Sequence, residues 1–156
     1  MTSDPIETAL ATQGLSLPER CTPRGQFLPW TRSGALVFLA GQICEWNGVV
    51  TETGQVEAAV SRDRAREAAK VCALNLLFHL RDACHGRLSR ARRCLRVGAF
   101  VNAPPGFPDS PLIANGASEL FIALWGEQGR HARTAVGVAA LPMNAVVEID
   151  AIFEAD

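Results

Sequence analysis

Hydrophobic residues recur with helical periodicity over residues 61–83, and they predict the clearest helix of the chain. Ser61 is a suitable N-cap, and Gly86 follows the last turn, where left-handed backbone is common. The apolar face at three-to-four spacing consists of Ala65, Ala68, Ala69, Cys72, Leu76, Leu80 and Ala83.

A second helix is predicted to begin at Ser110, which can act as its cap, and to end near Gly126. Pro111 fits the first turn, where a missing N–H costs little. Gly116 lies inside the helix and costs about 1 kcal/mol relative to alanine. We expect it to reflect either drift or the close approach of another segment. The buried stripe is predicted to be Leu112, Ile113, Ala117, Leu120, Phe121, Leu124 and Trp125.

Shorter apolar runs predict strands on either side of these helices. Residues 21–30 contain Pro and Gly and favour an irregular edge strand, whereas residues 35–40 and 94–102 favour buried strands. Asn47-Gly48 predicts a tight turn. The resulting order, strand-strand-helix-strand-helix-strand-strand, predicts an α+β fold with two helices on one face of a mixed sheet.

The stretch from Arg133 to Glu148 predicts a site as well as a structure. Small and β-branched residues predict a strand over 134–141, a turn at 142–144 and a second strand over 146–153. If these strands pair as a hairpin, Arg133 and Glu148 lie close together. An arginine at a strand end can bind a carboxylate through two parallel hydrogen bonds.

Composition places the chain among ordinary globular proteins, with 156 residues, 48% hydrophobic and 20% charged. We expect a single domain over residues 1–156 that begins with a polar lead-in at 1–20. The net charge of -1 argues against a nucleic-acid partner. No apolar run reaches the roughly 18 residues of a membrane helix, and no signal-peptide core is present, so we expect a cytoplasmic protein.

Cysteine and histidine positions predict no metal site and no organic cofactor. The five cysteines contain no Cys-x-x-Cys pair, and the three histidines have no ligand spacing with them. Reduced thiols packed as small hydrophobes are the favoured interpretation.

Six arginines within sixteen positions leave two interpretations open. The run could bind a phosphate backbone, or it could be a solvated connection between a helix and a strand. No aromatic residue interleaves with it to stack bases, which favours the solvated connection. The run consists of Arg81, Arg87, Arg90, Arg92, Arg93 and Arg96.

Four segments together resemble the YjgF family, also called Rid (reactive intermediate deaminase) and formerly endoribonuclease L-PSP. The likeness spans roughly residues 36–153, and the last segment is the most specific because an arginine, Leu-Pro and a strand glutamate recur in the family's order. The segments are Leu36–Ile43, Arg96–Asn102, Asn115 with Glu119, and Arg133–Glu148.

The resemblance implies a chorismate-mutase-like fold and a homotrimer with clefts between subunits. In family members that are deaminases, the substrate is an enamine or imine derived from an amino acid. By resemblance, Arg133 would hold the substrate carboxylate and Glu148 would position the attacking water. Asn115, Gly41 and Ala135 would line the ligand pocket.

The chain also departs from the best-characterised deaminase pattern. It contains no tyrosine, and Ala135, Gly137 and Ala140 replace a cysteine, an acidic residue and an arginine. These smaller residues imply a reshaped pocket in a divergent subgroup. The Pro-rich segment at 104–108 is an extra feature.

Three functions follow as hypotheses. The leading one is hydrolysis of enamine or imine intermediates, with Glu148 kept ionised by Arg133 and therefore orienting water rather than abstracting a proton strongly. The second is a non-catalytic module that binds small carboxylates, and the third is RNA binding or cleavage.

The candidate residues also have plain structural interpretations. Arg133 could instead form an ion pair with Glu148, Asp150 or Glu119. Glu148 could lie on a solvated strand face or at a subunit contact, and Asn115 could be a surface polar group. His131 could be a solvated turn residue or could contact the ligand site indirectly.

Overall fold

The computed structural model describes residues 3–156 and shows a mixed five-stranded sheet with its two long helices on one face. The strand order is β1-β2-β7-β5-β6, in which β5 and β6 are parallel and the other neighbours antiparallel. The helices are α1 (Pro5–Thr12), α2 (Arg62–Ala83) and α3 (Ser110–Trp125). The strands are β1 (Trp30–Ser33), β2 (Leu36–Ile43), β3 (Glu45–Trp46), β4 (Val49–Val50), β5 (Ala91–Asn102), β6 (Ala132–Val138) and β7 (Val147–Ala155).

The α+β prediction and the order of the main elements are confirmed. Ser61 caps α2 as expected, because its hydroxyl accepts a hydrogen bond from the Arg64 N–H at 3.2 Å. Asn47-Gly48 forms the turn of the small β3–β4 hairpin, with both residues at positive φ. The edge strand β1 begins only at residue 30, later than predicted, since Pro and Gly occupy positions 23–29.

The two long helices pack closely at Gly116. A Cβ there would overlap the carbonyl oxygen of Arg66 on α2, so the glycine marks a close approach rather than drift. The predicted cap of α3 is wrong by one residue, because Asp109 occupies the N-cap position and Ser110 is already helical.

Alternation along β7 separates the two faces of the sheet. Val147, Ile149 and Ala151 are buried on the helix-covered face, whereas Glu148 and Asp150 point to the opposite, open face. The open face also carries exposed apolar residues on other strands, with Phe38 40% and Val136 42% exposed.

The predicted hairpin between β6 and β7 is wrong, because β5 lies between them. The connecting segment, which contains a 3₁₀ turn at Pro142–Asn144, passes over the end of β5. Asn102, the last residue of β5, fastens it by donating from its backbone N–H to Val146 O at 2.8 Å and from Nδ2 to Ala145 O at 3.3 Å. A sequence pattern of two short strands around a turn is therefore compatible with a connection that crosses over a third strand as well as with a hairpin.

Cysteines in the described part of the chain are all unpaired, and four of the five are buried. No helix within residues 3–156 is long and apolar enough to cross a membrane.

Candidate functional site

Arg133 lies on the edge strand β6 and points to the helix-covered face, where it meets α3. It is opposite Val97, which is fully buried beneath the helices. Arg133 Nη1 donates to Asn115 Oδ1 at 2.8 Å and to Ser118 Oγ at 3.0 Å, and Nη2 donates to Pro111 O at 3.2 Å. All of these acceptors are neutral and belong to α3.

The charge of Arg133 is not neutralised by any carboxylate in the described residues. Glu119 pairs with Arg66, and the side chains of Glu148 and Asp150 lie on the opposite face of the sheet. The three ion pairs considered for Arg133 from the sequence are therefore absent within one protomer. Burial alone lowers the pKa of the guanidinium, which nevertheless stays protonated at neutral pH.

Within residues 3–156, two hydrogen-bond donors of Arg133 have no acceptor, the Nε–H and one N–H of Nη2. These nitrogens form the lateral fork of an arginine, which matches the two oxygens of a carboxylate. A cation fixed by neutral acceptors and left with an open fork is suited to bind an anion.

A hydrogen-bonded chain behind Arg133 contains Ser118, which sequence reasoning missed. Ser118 Oγ lies 2.9 Å from His131 Nε2, and His131 Nδ1 lies 2.7 Å from Gly129 O. His131 thus contacts the site indirectly, one of the two alternatives left open for it. The sequence did contain an indication of this residue, because the spacing of Ser118 from Pro111 and Asn115 puts all three on one face of α3.

Asn115 and Ala135, both predicted to bind ligand, lie beside Arg133. The amide oxygen of Asn115 is engaged by the guanidinium, so this residue orients Arg133. Ala135 follows on the same face of β6 and is half-buried. At Gly137, an added Cβ would make ordinary contacts, the nearest with Ala103 Cβ at 3.6 Å, so a small side chain would fit there.

Glu148 and Gly41 form a second cluster on the open face of the sheet. The register between β2 and β7 shifts by one residue between Leu39 and Gln42, which is a β-bulge at Gly41. A Cβ on Gly41 would lie 2.5 Å from Glu148 Oε1, so the carboxylate occupies the space that a side chain would fill. Both residues line a pocket of about 160 Å³ together with Cys21, Thr22, Pro23, Arg24, Phe27, Gln42, Ile43, Glu45 and Pro142.

The environment of Glu148 contradicts the expectation that Arg133 keeps it ionised. Burial raises the pKa of Glu148, and the charge of Asp150 raises it further. Burial also raises the pKa of Asp150, against the opposing effects of the Gly98 N–H and Arg96. Glu148 is therefore a stronger base than an isolated surface glutamate.

Within one protomer, Arg133 and Glu148 do not form a common site. β5 lies between their strands, β6 and β7, and their side chains point to opposite faces of the sheet. The structure brings together Arg133, Asn115 and Ala135 on one side, and Glu148 and Gly41 on the other.

The arginine run does not form one free basic stripe. Arg81 pairs with Glu7 and Arg92 with Asp156, while Arg96 donates to Thr134 Oγ1 across the sheet. Among residues 3–156 no group of three or more His, Cys, Asp or Glu side chains is arranged to hold a metal ion.

Comparison with known proteins places this fold in a family. Residues 7–154 match the family described as "YjgF/chorismate_mutase-like, putative endoribonuclease". The chain belongs to the YjgF family. The resemblance recognised in its sequence segments is thereby confirmed.

Relatives of this YjgF chain extend over nearly its whole length. Protein TCP17 of Trypanosoma cruzi is 36% identical over 150 residues, covering 96% of this chain and 93% of that protein. A 2-iminobutanoate/2-iminopropanoate deaminase of Dermatophagoides farinae is 28% identical over 138 residues, covering 88% and 92%. The crystal structure of Atu1372 from Agrobacterium tumefaciens, a protein of unknown function, superposes with a TM-score of 0.90 at 42% identity, covering 97% and 92%.

Proposed function

We propose that this YjgF-family chain hydrolyses the imine or enamine of a small 2-imino acid. The observation that carries the proposal is the open fork of Arg133, a part-buried cation held by neutral acceptors. Such a group binds a carboxylate in a fixed orientation, which sets the position of the adjacent imine carbon. The relative named as an iminobutanoate deaminase supports the same class of substrate.

Hydrolysis requires a water molecule directed at the imine carbon, and Glu148 is the group proposed to direct it. The water adds to C=N, the carbinolamine loses ammonia, and a 2-oxo acid remains. The protonated imine is already electrophilic, so positioning supplies most of the rate gain. Glu148 accepts a proton from the water and returns it to the leaving nitrogen, a role that its raised pKa favours.

The separation of Arg133 and Glu148 leads us to propose that each catalytic site uses two copies of the chain. In a homotrimer with clefts between subunits, Arg133 of one copy would face Glu148 of the next. The open sheet face, with Phe38 and Val136 exposed, is apolar enough to be covered in such an assembly.

The first test measures imino-acid loss, with an amino-acid oxidase as the source and semicarbazide trapping what survives. Wild type should accelerate the loss, and Arg133→Ala should lower kcat/KM about a hundredfold, since charge-assisted hydrogen bonds are lost. Arg130→Ala is the matched control, because Arg130 is exposed and pairs with Glu127. Unchanged turnover in Arg133→Ala would refute the proposal.

A subunit-mixing experiment tests the composite site. Arg133→Ala and Glu148→Gln, each inactive alone, are unfolded together at equal concentration and refolded. Random assembly then recovers about a quarter of wild-type activity, because that share of clefts receives both intact residues. No recovery, with mixed oligomers confirmed by mass spectrometry, would place Arg133 and Glu148 in one copy or remove one of them from catalysis.

A non-catalytic module that binds small carboxylates is the second candidate, favoured by the small residues Ala135 and Gly137 on the strand that carries Arg133. It predicts that 2-oxobutanoate binds in an Arg133-dependent manner while imino acids are not turned over. Measuring 2-oxobutanoate binding and imino-acid turnover on the same protein therefore distinguishes the two functions.

A further inference from the structure

The hydrogen-bonded chain behind Arg133 has a defined direction. A backbone carbonyl can only accept, so the contact of 2.7 Å between His131 Nδ1 and Gly129 O places the proton on Nδ1. In the neutral imidazole, Nε2 is then an acceptor, and the Ser118 hydroxyl 2.9 Å away must donate to it. The lone pairs of Ser118 Oγ are thereby left for the N–H of Arg133 at 3.0 Å.

The surroundings keep this arrangement neutral. Ser118 is 7% exposed, and the His131 ring packs edge-on against Phe121 with centroids 6.1 Å apart. Burial lowers the pKa of His131, and the nearby charge of Arg133 lowers it further against the opposing effect of the Gly129 carbonyl. At neutral pH the imidazole therefore adds no charge beside Arg133.

Neutral support matters because a carboxylate in the same place would hold the guanidinium equally well but would neutralise it. Asn115 and Ser118 share Nη1, so two side chains from successive turns of α3 set the plane of the guanidinium. An unconstrained arginine side chain has many rotamers. Because Arg133 is already held in one of them, binding a ligand does not carry the entropy cost of ordering this side chain.

We propose that Ser118 and His131 are positioning residues of the carboxylate site, His131 orienting the Ser118 hydroxyl and Ser118 fixing the Arg133 guanidinium. This inference rests on the proposed function, because it assigns Arg133 to the substrate carboxylate. Neither residue touches substrate, and both act through Arg133.

The kinetic test uses Ser118→Ala and His131→Phe, which keeps a ring against Phe121 but removes the acceptor. Both should raise KM for imino acids, Ser118→Ala about tenfold, with kcat within about twofold of wild type. His131→Gln, which restores an acceptor near Nε2, should return KM to within about threefold. Ser33→Ala is the control, since Ser33 is an exposed serine on β1, at the opposite edge of the sheet from β6.

A double-mutant cycle on 2-oxobutanoate binding, followed by NMR titration, separates positioning from direct contact. Ser118→Ala should weaken binding about tenfold in wild type and have no further effect in Arg133→Ala. A full effect in the Arg133→Ala background would mean that Ser118 contacts the ligand, and would overturn the inference.

The titration also distinguishes the two ways of failing. If Arg133→Ala weakens binding but Ser118→Ala and His131→Phe do not, the positioning inference fails alone. If Arg133→Ala leaves binding unchanged, or folded wild type neither binds 2-oxobutanoate nor turns over imino acids, the proposed function and the inference fail together.

Discussion

Replacing Gly41 by alanine tests whether the position of the Glu148 carboxylate controls turnover. The new Cβ would lie 2.5 Å from Glu148 Oε1 and 3.1 Å from its carboxyl carbon. Ordinary contact requires about 3.4 Å, so the carboxylate must move by roughly 1 Å. The obstructing atoms are the end of a flexible side chain and the backbone of Gly41 is not left-handed, so the fold should accommodate the change.

A displacement of this size in a catalytic group costs about a hundredfold in rate. We therefore expect Gly41→Ala to lower kcat for imino-acid hydrolysis by about that factor. The melting temperature should stay within a few degrees of wild type, because no buried contact is lost. Rates come from the semicarbazide competition assay and stability from thermal unfolding of the same samples.

Gly98→Ala provides a control of nearly identical geometry. A Cβ at Gly98 would displace Asp150 in the way that a Cβ at Gly41 displaces Glu148. The two displaced carboxylates lie on the same face of β7. Asp150 acts on Glu148 only through its charge, which the displaced side chain keeps, so Gly98→Ala should change kcat less than about threefold at a pH above the acid limb. Equal losses in both variants, or no loss in Gly41→Ala, would refute the assignment of Glu148.

Two further predictions concern stability and pH. Gly116→Ala should lower the free energy of unfolding by about 1 to 2 kcal/mol in urea titrations, because overpacking against the Arg66 carbonyl outweighs the gain of about 1 kcal/mol in helix propensity; equal or greater stability would contradict the close packing of the two helices. Asp150→Asn should shift the acid limb of the pH–rate profile to lower pH, because Asp150 raises the pKa of Glu148. The raised pKa of each carboxyl means that native-state stability decreases as pH rises through the folded pKa values. Asp150→Asn should therefore raise the melting temperature at pH 7 and leave it unchanged below about pH 3, where both carboxyls are protonated in the folded and unfolded states; an effect of equal size at both pH values would show that it is not electrostatic.

Local features of the fold could be predicted from the sequence because they depend on residues close together in the chain. The Ser61 cap, the buried face of α2 and the Asn47-Gly48 turn are of this kind. Gly116 was recognised as an anomaly, but its cause, the Arg66 carbonyl, lies on another helix. Packing partners of that kind are not encoded in a local pattern.

Strand pairing marks the limit of pattern reasoning in this chain. The residues of β6 and β7 indicate two strands around a turn, and nothing local records that β5 lies between them. The contacts involved are distant in sequence, because β5 pairs with both strands and Asn102 bonds to Ala145 and Val146 in the connection that passes over the end of β5. Because the predicted hairpin does not form, the expectation that Arg133 and Glu148 lie close together within one protomer was also wrong.

The failure of the hairpin changes what the candidate site requires. In a hairpin, a cation and a carboxylate side by side would form an ion pair that neutralises both groups. In the observed fold, Arg133 is held by neutral partners on one face of the sheet, and Glu148 is raised in pKa on the other. Within one protomer neither group neutralises the other. A catalytic site that uses both residues therefore needs a second copy of the chain, and subunit mixing tests this requirement directly.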